Sequence, residues 1–568
     1  MNQMKTTKNT RRNFIQKTLM ASGGIILAPN FISCSDDDDL QVDYDESQLT
    51  VQNFTYGVAS FDPSNSGVII WTRYMAADVE IIWEVSTQND FSSILRTGKI
   101  TTESSRDNTL AIELTELEAD QKLYYRFIST SDNSISVVGE TITLPTDATQ
   151  AKLAVCSCSN YQAGLFNVYD AMANSDADII VHLGDYFYEY GAGGYGSTEE
   201  NAFLNRFHEP TGEIISLDDY RTRYKQYRSD ASLQLAHQKK PFICVWDDHE
   251  IANDTYKEGA ENHDEATEGS FEARKQNALQ AYSEFLPFSR ISADDNSVIY
   301  RSVNIGNLVN LVLMDTRLIG RDKQLNITDY FTATGFDAEA FQTALTDPTR
   351  SILGTTQRDW VISEITSSSA KWQVLGQQVL MGKMNVPAEL LTAFGSPNFA
   401  AILTELVTIK LRLLNNDPTL TAEETARVTS VIPYNLDAWD GYPIDRELIY
   451  GALNDKKIVT LAGDTHNAWQ NTLIAADGSE VGIELATSSV SSPGFETYLG
   501  ANVNAELIAG FQDAMIALVD DLNYFDASRR GFMMTTFTTT EVTSEWIFVD
   551  SILSESYSTE VGYSLTYS

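Results

Sequence analysis

Ile179-Ile180-Val181-His182-Leu183-Gly184-Asp185-Tyr186-Phe187-Tyr188 is a short apolar run that ends in a glycine, a carboxylate and a phenol. The pattern recurs. Phe242-Ile243-Cys244-Val245 is followed by Trp246-Asp247-Asp248-His249-Glu250, and Ile458-Val459-Thr460-Leu461-Ala462 by Gly463-Asp464-Thr465-His466. Apolar runs of this length, bounded by turn residues, read as buried strands. In open α/β folds ligands bind at the carboxyl ends of the strands. Carboxylate, imidazole and phenol gathered there suit hard metal ions and the phosphates that such ions hold.

Further strand candidates lie at Leu153–Val155, Leu308–Met314, Trp372–Gln377 and Ile483–Ala486, with helical or loop segments between them. One continuous α/β domain over residues 150–568 is the simplest reading. Within it, residues 390–431 read as inserted helices, Ala400–Leu414 among them; they are candidates for a lid, with plain packing as the alternative. Asn504–Leu522 carries apolar residues at helical spacing. Before the boundary at Pro145–Gln150 the pattern is strand after strand, as in Val68–Arg73, Glu80–Val85 and Leu123–Phe127. Residues 49–145 are therefore expected to form a small β-sandwich, and they hold no catalytic constellation.

The length of 568 residues predicts two or three domains. The formal charge of −40 repels nucleic acid and argues against that partner. It would also repel a phosphate ester unless bound cations reverse the local field. The four cysteines, Cys34, Cys156, Cys158 and Cys244, are too few for a disulfide framework. Cys156 and Cys158 stand two apart on one expected strand, a poor geometry for a mutual disulfide.

The amino terminus reads as an address. Thr10-Arg11-Arg12-Asn13-Phe14-Ile15-Gln16 matches a twin-arginine export signal, followed by a modest apolar region broken by Gly23, Gly24 and Pro29. That region is too short and interrupted for a membrane span, and no other segment is apolar enough. Phe31-Ile32-Ser33-Cys34 resembles a bacterial lipobox, which would make residues 1–33 a lipoprotein signal peptide and Cys34 the lipidated residue. The acidic tether of residues 34–48 opens with Ser35-Asp36-Asp37-Asp38-Asp39 and resembles a lipoprotein surface-export signal. The expected location is the periplasm or cell surface, lipid-anchored to the outer membrane.

Taken in order, Ser157-Cys158-Ser159, Gly184 to Tyr190, Trp246 to Glu250 with Asn253, Asp437-Ala438-Trp439-Asp440-Gly441-Tyr442, and Gly463 to His466 resemble the PhoD-like family of alkaline phosphatases and phosphodiesterases. The match extends to Gly57-Val58-Ala59-Ser60, Trp71-Thr72-Arg73, His208-Glu209-Pro210, Asp219-Tyr220-Arg221, Asp315-Thr316-Arg317 and Arg529-Arg530-Gly531. Each motif alone is weak; the ordered set is specific and spans nearly all of the chain after the export signal.

The resemblance implies a four-layer α/β metallophosphoesterase sandwich behind an N-terminal β domain. It also implies a site related to that of purple acid phosphatases, with Fe³⁺ and Ca²⁺. For the iron it implies Cys158, Asp185, Tyr188 and His466, with Cys156 as the rival thiol. The chemistry agrees, since a phenol of pKa ~10 needs a strong Lewis acid to ionise at neutral pH. For the second metal, Asp464, one of Asp437 or Asp440, and Asp248 with Asn253 as its competitor form an oxygen-rich set that favours Ca²⁺ over Zn²⁺. Arg317 and Arg221 are the candidates to neutralise phosphate, and His249 the candidate general acid.

The expected reaction is hydrolysis of a phosphate mono- or diester by in-line attack of a metal-bound hydroxide. Phospholipid or another diester as main substrate is the enzymatic alternative, and a catalytically silent ligand-binding lipoprotein the non-enzymatic one. His182, inside an apolar run, reads as core, and His237 and His263 as surface. Tyr186, Tyr190 and Trp246 read as packing residues. A monomer is the default.

Overall fold

The computed structural model describes residues 44–568, apart from 292–294, 334, 395, 397, 454–455 and 500–503. The export signal, Cys34 and most of the acidic stretch lie outside these residues. The end of that stretch is no free tether, which corrects the expectation for residues 44–48. Tyr44 donates to Glu84 at 2.7 Å and Arg126 donates to Glu46 at 2.6 Å, so the segment is docked on the N-terminal sheet.

Two large sheets carry the fold. One has nine strands in the order Thr559–Tyr567, Val542–Val549, Arg530–Thr538, Gln150–Cys156, Ile179–His182, Phe242–Cys244, Val58–Phe61, Val68–Arg73, Thr109–Leu114. The other has seven, in the order Arg301–Ile305, Val309–Leu313, Trp372–Gly376, Ile458–Ala462, Glu480–Ala486, Ala468–Ile474, Leu522–Asp526. The middle of each sheet is parallel and the flanks are antiparallel. The expected strands are thus present within one to three residues at either end, and they divide between the two sheets.

Side-chain alternation explains how the sheets stack. Leu311, Leu313, Val374, Val459 and Leu461 point into a core shared with the first sheet. Val312, Leu375, Ile458 and Ala462 point the other way, into a core under helices that include Ala505–Leu518 and Phe399–Leu414. Helices such as Asn167–Ala173 and Ala231–Lys239 cover the outer face of the first sheet. The result is four layers, helix, sheet, sheet, helix, as a mixed α/β sandwich.

The N-terminal strands form a second, smaller sandwich whose core includes Phe54, Ile81, Trp83, Tyr125 and Phe127. One of its two sheets is not its own. Val58–Phe61 pairs with Phe242–Cys244 through Phe61 and Phe242, so three N-terminal strands prolong the nine-stranded sheet. Val68–Arg73 is buried at every position. Val68 and Ile70 fill the small core, whereas Ile69 and Trp71 fill the large one. A strand packed on both faces reads as a continuous apolar run, which is what Val68-Ile69-Ile70-Trp71 is.

The inserted region after residue 385 is closed by a two-stranded ribbon, Asn385–Pro387 against Val431–Pro433. Its helices Ala388–Ala393, Phe399–Leu414 and Ala422–Thr429 bury Leu403, Leu406, Ile409 and Val428 in the second core. Among the described residues, no helix is long and apolar enough to cross a membrane.

Candidate active site

The carboxyl ends of the parallel strands from both sheets meet along one edge. There the backbone turns sharply, and it does so at residues that are not glycine. Cys158, Asp185, Asp464 and His466 have φ of 63°, 55°, 64° and 62°. Side chains rarely adopt this left-handed region, and such conformations cluster at functional sites because surrounding structure must enforce them. Gly184 has φ +105°, and a Cβ there would collide with the Asp247 backbone and Cβ, so only glycine lets the two loops approach. Buried Glu250 ties these loops together, accepting from the backbone N–H of Asp185 at 3.1 Å, Tyr186 at 2.6 Å and Asp247 at 2.8 Å. Gln378 ties the two sheets, donating to the carbonyls of Trp246 at 2.7 Å and Met314 at 3.0 Å.

At one end of the site Cys158, Asp185 and His466 place ligand atoms within 4.8 Å of one another. Tyr188 joins them, its Oη 3.0 Å from Asp185 and 2.8 Å from His466 Nε2. His466 Nδ1 is 2.7 Å from the Pro493 carbonyl, which can only accept. The ring proton therefore sits on Nδ1 and the Nε2 lone pair faces the cluster, the arrangement typical of a metal-binding imidazole. Ser492 donates to the Cys158 carbonyl at 2.9 Å and lies 2.7 Å from Tyr188 Oη. The structure gathers Cys158 here, not Cys156. The strand ends at Cys156, whose side chain stays in the apolar core, and the turn at Cys158 swings its thiol into the cluster.

At the other end Asp247, Asp248 and Asp464 approach within the same 4.8 Å limit. Fully buried Arg317 lies among them. It donates to Asp247, to Asp437 at 2.8 and 3.0 Å and to Asp464 at 3.0 Å, and stands 3.7 Å from Asp248. Of the candidates for this end, Asp248, Asp464 and Asp437 are brought together. Asp440 is not: it is bound to Arg446 at 2.6 Å and to the Met384 N–H at 2.8 Å. The Asn253 side chain points away, donating to Glu261 at 3.2 Å. Arg221 is also absent from the cluster. Both sides of its guanidinium are taken by Glu284 at 2.7 Å and the Ser105 carbonyl at 2.6 Å, so it joins the catalytic and N-terminal regions instead.

His249 bridges the two ends, grouped with Asp185 and Asp248. Its Nδ1 is 2.6 Å from fully buried Glu189, whose other oxygen accepts from the Asn253 N–H at 2.8 Å and Asn262 at 2.7 Å. Burial alone would lower the His249 pKa. The carboxylates of Glu189, Asp248 and Asp185 outweigh it and raise that pKa well above the usual value. With Nδ1 held by Glu189, Nε2 is left to face the site.

The remaining electrostatics call for cations. Burial raises the pKa of Cys158, Tyr188, Asp185 and Asp464, and negative charge on neighbouring groups, Asp247 and Asp248 among them, adds to it. Asp248 goes down, to about 2, because Arg317 and His249 overcome its desolvation. Asp185 Oδ1 and Asp247 Oδ2 are buried with no hydrogen-bond partner. An unpartnered carboxylate oxygen in a buried thiol–phenol–imidazole cluster is the situation that a bound metal ion resolves. The donors thus fit two cations, one near sulfur, phenol and imidazole, the other among carboxylates.

A cavity of about 1350 Å³ opens onto Asp437, Asp464 and His466 and is also lined by Lys323, Phe394 and Tyr498. Sequence reasoning assigned no part to Asp247, Glu189, Glu250, Gln378 or Ser492, all buried here. The first three lie inside the quoted motifs, and Gln378 directly follows the expected strand Trp372–Gln377, so position after a strand end was the available signal; Ser492 carried none. His182 is core, as expected, with Nε2 2.8 Å from Tyr169 Oη. His237 is not on the surface: its ring stacks on Phe242 with centroids 3.8 Å apart. The His263 side chain is only 2% exposed, held 3.1 Å from Glu268.

Residues 153–546 match the family model described as PhoD-like phosphatase, and residues 41–145 match that of the PhoD-like phosphatase N-terminal domain. The chain is 34% identical over 466 residues to alkaline phosphatase D of Bacillus subtilis (strain 168), covering 78% of this chain and 70% of that one. Among solved structures it is similar to PhoD, with 29% identity, a TM-score of 0.73 and 91% of each chain covered. It is also similar to purple acid phosphatase PPD1 from yellow lupin (Lupinus luteus) seeds, with 12% identity and a TM-score of 0.52 over 90% of this chain and 73% of that one. That last likeness is one of fold alone.

Proposed function

The chain belongs to the PhoD-like phosphatase family and is a hydrolase of phosphoric ester bonds; from that premise we propose that it is a metal-dependent alkaline phosphatase or phosphodiesterase acting outside the cytoplasm. The observation that carries the reading is the meeting of Cys158, Asp185, Tyr188 and His466 with Asp248 and Asp464 at the ends of strands from two sheets.

Cys158, Tyr188, His466 and Asp185 would hold the first cation, and their thiolate–phenolate character favours Fe³⁺. Asp248 and Asp464, with Asp247 and Asp437 close by, form the oxygen-rich set that favours Ca²⁺. Bound there, the cations would offset charge on the phosphoryl oxygens and activate a water. Arg317 supplies a fixed positive charge beside the same carboxylates. His249, protonated and oriented by Glu189, is placed to give its Nε2 proton to the leaving alkoxide as the bond between phosphorus and that oxygen breaks. The water oxygen would join phosphorus on the opposite side and give its proton to solvent, from which His249 regains the one it gave, so the products are the alcohol and phosphate, or a monoester from a diester.

Export through the twin-arginine signal and lipidation at Cys34 complete the proposal. The sequence of residues 1–39 supports them, and loss of membrane association in Cys34→Ala tests them.

The test of function is hydrolysis of paired chromogenic phosphate mono- and diesters, with calcium or chelator, beside Asp185→Ala. Calcium-dependent turnover abolished in the variant is the expected result, and the monoester-to-diester ratio assigns the class. A folded, iron- and calcium-loaded protein that turns over neither substrate would overturn the proposal.

A further inference from the structure

The cavity over the site is far larger than a phosphoryl group needs. At about 1350 Å³ it exceeds the space of most small-ligand pockets, ~300–1,000 Å³, so most of it must serve the alcohol part of a substrate. Its walls differ. One is aromatic and aliphatic: Leu391 and Phe394 from the inserted region, Tyr434, and Phe495 and Tyr498 from the loop after Pro493. Phe394 is 41% and Tyr498 62% exposed. These two are not stray surface residues. Phe495 stands 6.2 Å from the Phe394 ring and 6.0 Å from Tyr498, and its own ring packs 5.2 Å from core residue Phe511. An aromatic wall that packs on the core through Phe495 and stands open beside a reaction centre is the kind of surface a ligand covers.

The lining also carries Asp254, Glu261 and Asp329, and Lys323 is the one lysine or arginine among the described residues lining the cavity. Extra negative charge on the alcohol part would meet these acids in a protein of formal charge −40.

We infer that this wall is a specificity subsite for the alcohol part of the ester, and that the preferred alcohol is neutral and apolar. The inference rests on the phosphoesterase reading and deepens it. The phosphate sits at the Asp464 and His466 end, and the alcohol extends along Phe394 and Tyr498 towards the mouth.

A series of n-alkyl phosphates from ethyl to octyl, as monoesters and as methyl diesters below their micelle concentrations, tests it. Their leaving alkoxides are nearly alike in basicity, so a trend reports binding. The kcat/KM ratio of octyl to ethyl should be at least about tenfold, given the transfer free energy of partly buried methylenes. In the double variant Phe394→Ser, Tyr498→Ser that ratio should fall to less than about threefold. Because each ratio is taken within one protein, partial misfolding of the variant cancels. A ratio near one in the native protein, or an unchanged ratio in the variant, overturns the inference.

The matching alkylphosphonates, which cannot be hydrolysed, give the same ratio by calorimetry on the metal-loaded protein. Preference for octyl there without any turnover would sink the proposed function and keep the subsite; equal binding of octyl and ethyl would sink the subsite alone. A 2-naphthyl arm beside octyl separates flat-ring alcohols from acyl-chain alcohols as the source.

Discussion

Tyr188 Oη lies 2.8 Å from His466 Nε2, although the two residues are 278 positions apart and follow strands of different sheets. The His466 ring proton is committed to Pro493, so Nε2 can only accept, and Asp185 at 3.0 Å is also an acceptor. Tyr188 has one proton for both. A cation that replaces this proton leaves a phenolate 2.7 Å from the Ser492 hydroxyl, which can turn its one proton from the Cys158 carbonyl to the phenolate oxygen. Ser492→Ala should therefore weaken metal binding by about 10–100-fold, the usual effect of losing such an outer contact. Competition with a chelator of known affinity measures it, and unchanged affinity would remove Ser492 from the account.

Asp248 and Asn253 give opposite expectations. Asp248 stands with Asp247 and Asp464, whereas the Asn253 side chain faces Glu261. Asp248→Asn should abolish calcium-dependent turnover, and Asn253→Ala should change calcium affinity by less than about threefold. Calcium titration of both variants decides the matter.

Arg317 is the buried counter-charge of Asp247, Asp437 and Asp464. Arg317→Met leaves Asp247 and Asp464 without their counter-charge, while Asp437 keeps Arg321, at a cost of about 3–5 kcal/mol in the chelated protein. Added calcium should restore a large part of the lost Tm, since it supplies the missing positive charge. A Tm that is low and indifferent to calcium would show that the arginine acts by packing.

His249→Asn removes the proton offered to the leaving oxygen. Turnover of alkyl esters should fall by about 10²–10⁴-fold, and that of a p-nitrophenyl ester much less, because nitrophenolate leaves without a proton. Equal losses on both substrates would assign His249 to binding rather than to proton transfer.

Chelation should make stability depend on pH in a stated direction. Burial pushes Asp247 up to about 6 and Glu250 and Asp254 up to about 7. Such groups hold protons more tightly folded than unfolded, so their contribution is present at low pH and lost as pH rises through those values. His182 and His466, lowered to about 3 by burial, act in the opposite sense, since only the unfolded chain takes up their protons below about pH 6.5. Above about pH 6.5 the histidines no longer oppose the carboxyl groups, and Asp185 and Asp464 are raised further, so the chelated protein should lose Tm as pH rises from about 6.5 to about 8. Loading with cations should remove the alkaline loss. Thermal scans with chelator and with calcium check both statements, and a chelated Tm that climbs over that range contradicts them.

The strand ends were legible because local pattern fixes them: an apolar run stops, a turn residue follows, and what comes next faces the sheet edge. Asp185, Tyr188, Asp464 and His466 could be picked out this way. Partners distant in sequence could not. Arg221 belongs to Glu284 and Asp440 to Arg446, and nothing within a few residues of Arg221 distinguishes a phosphate ligand from a structural ion pair. The resemblance pointed to Cys158 over Cys156, but what physically separates them is the left-handed backbone at Cys158 just past the strand that ends at Cys156, a feature invisible in residue type. The sharing of Val68–Arg73 between two cores was written in its unbroken apolar run, but which sheets it served was not.

That sharing bears on how the protein can be taken apart. A fragment beginning at Gln150 would lose the strand beside Phe242–Cys244 and leave that parallel strand as a bare, apolar sheet edge. Open edges of this kind recruit other chains and promote aggregation. The N-terminal strands therefore act as a built-in edge guard for the catalytic sheet, and deletion from either side should yield insoluble material rather than a free-standing domain.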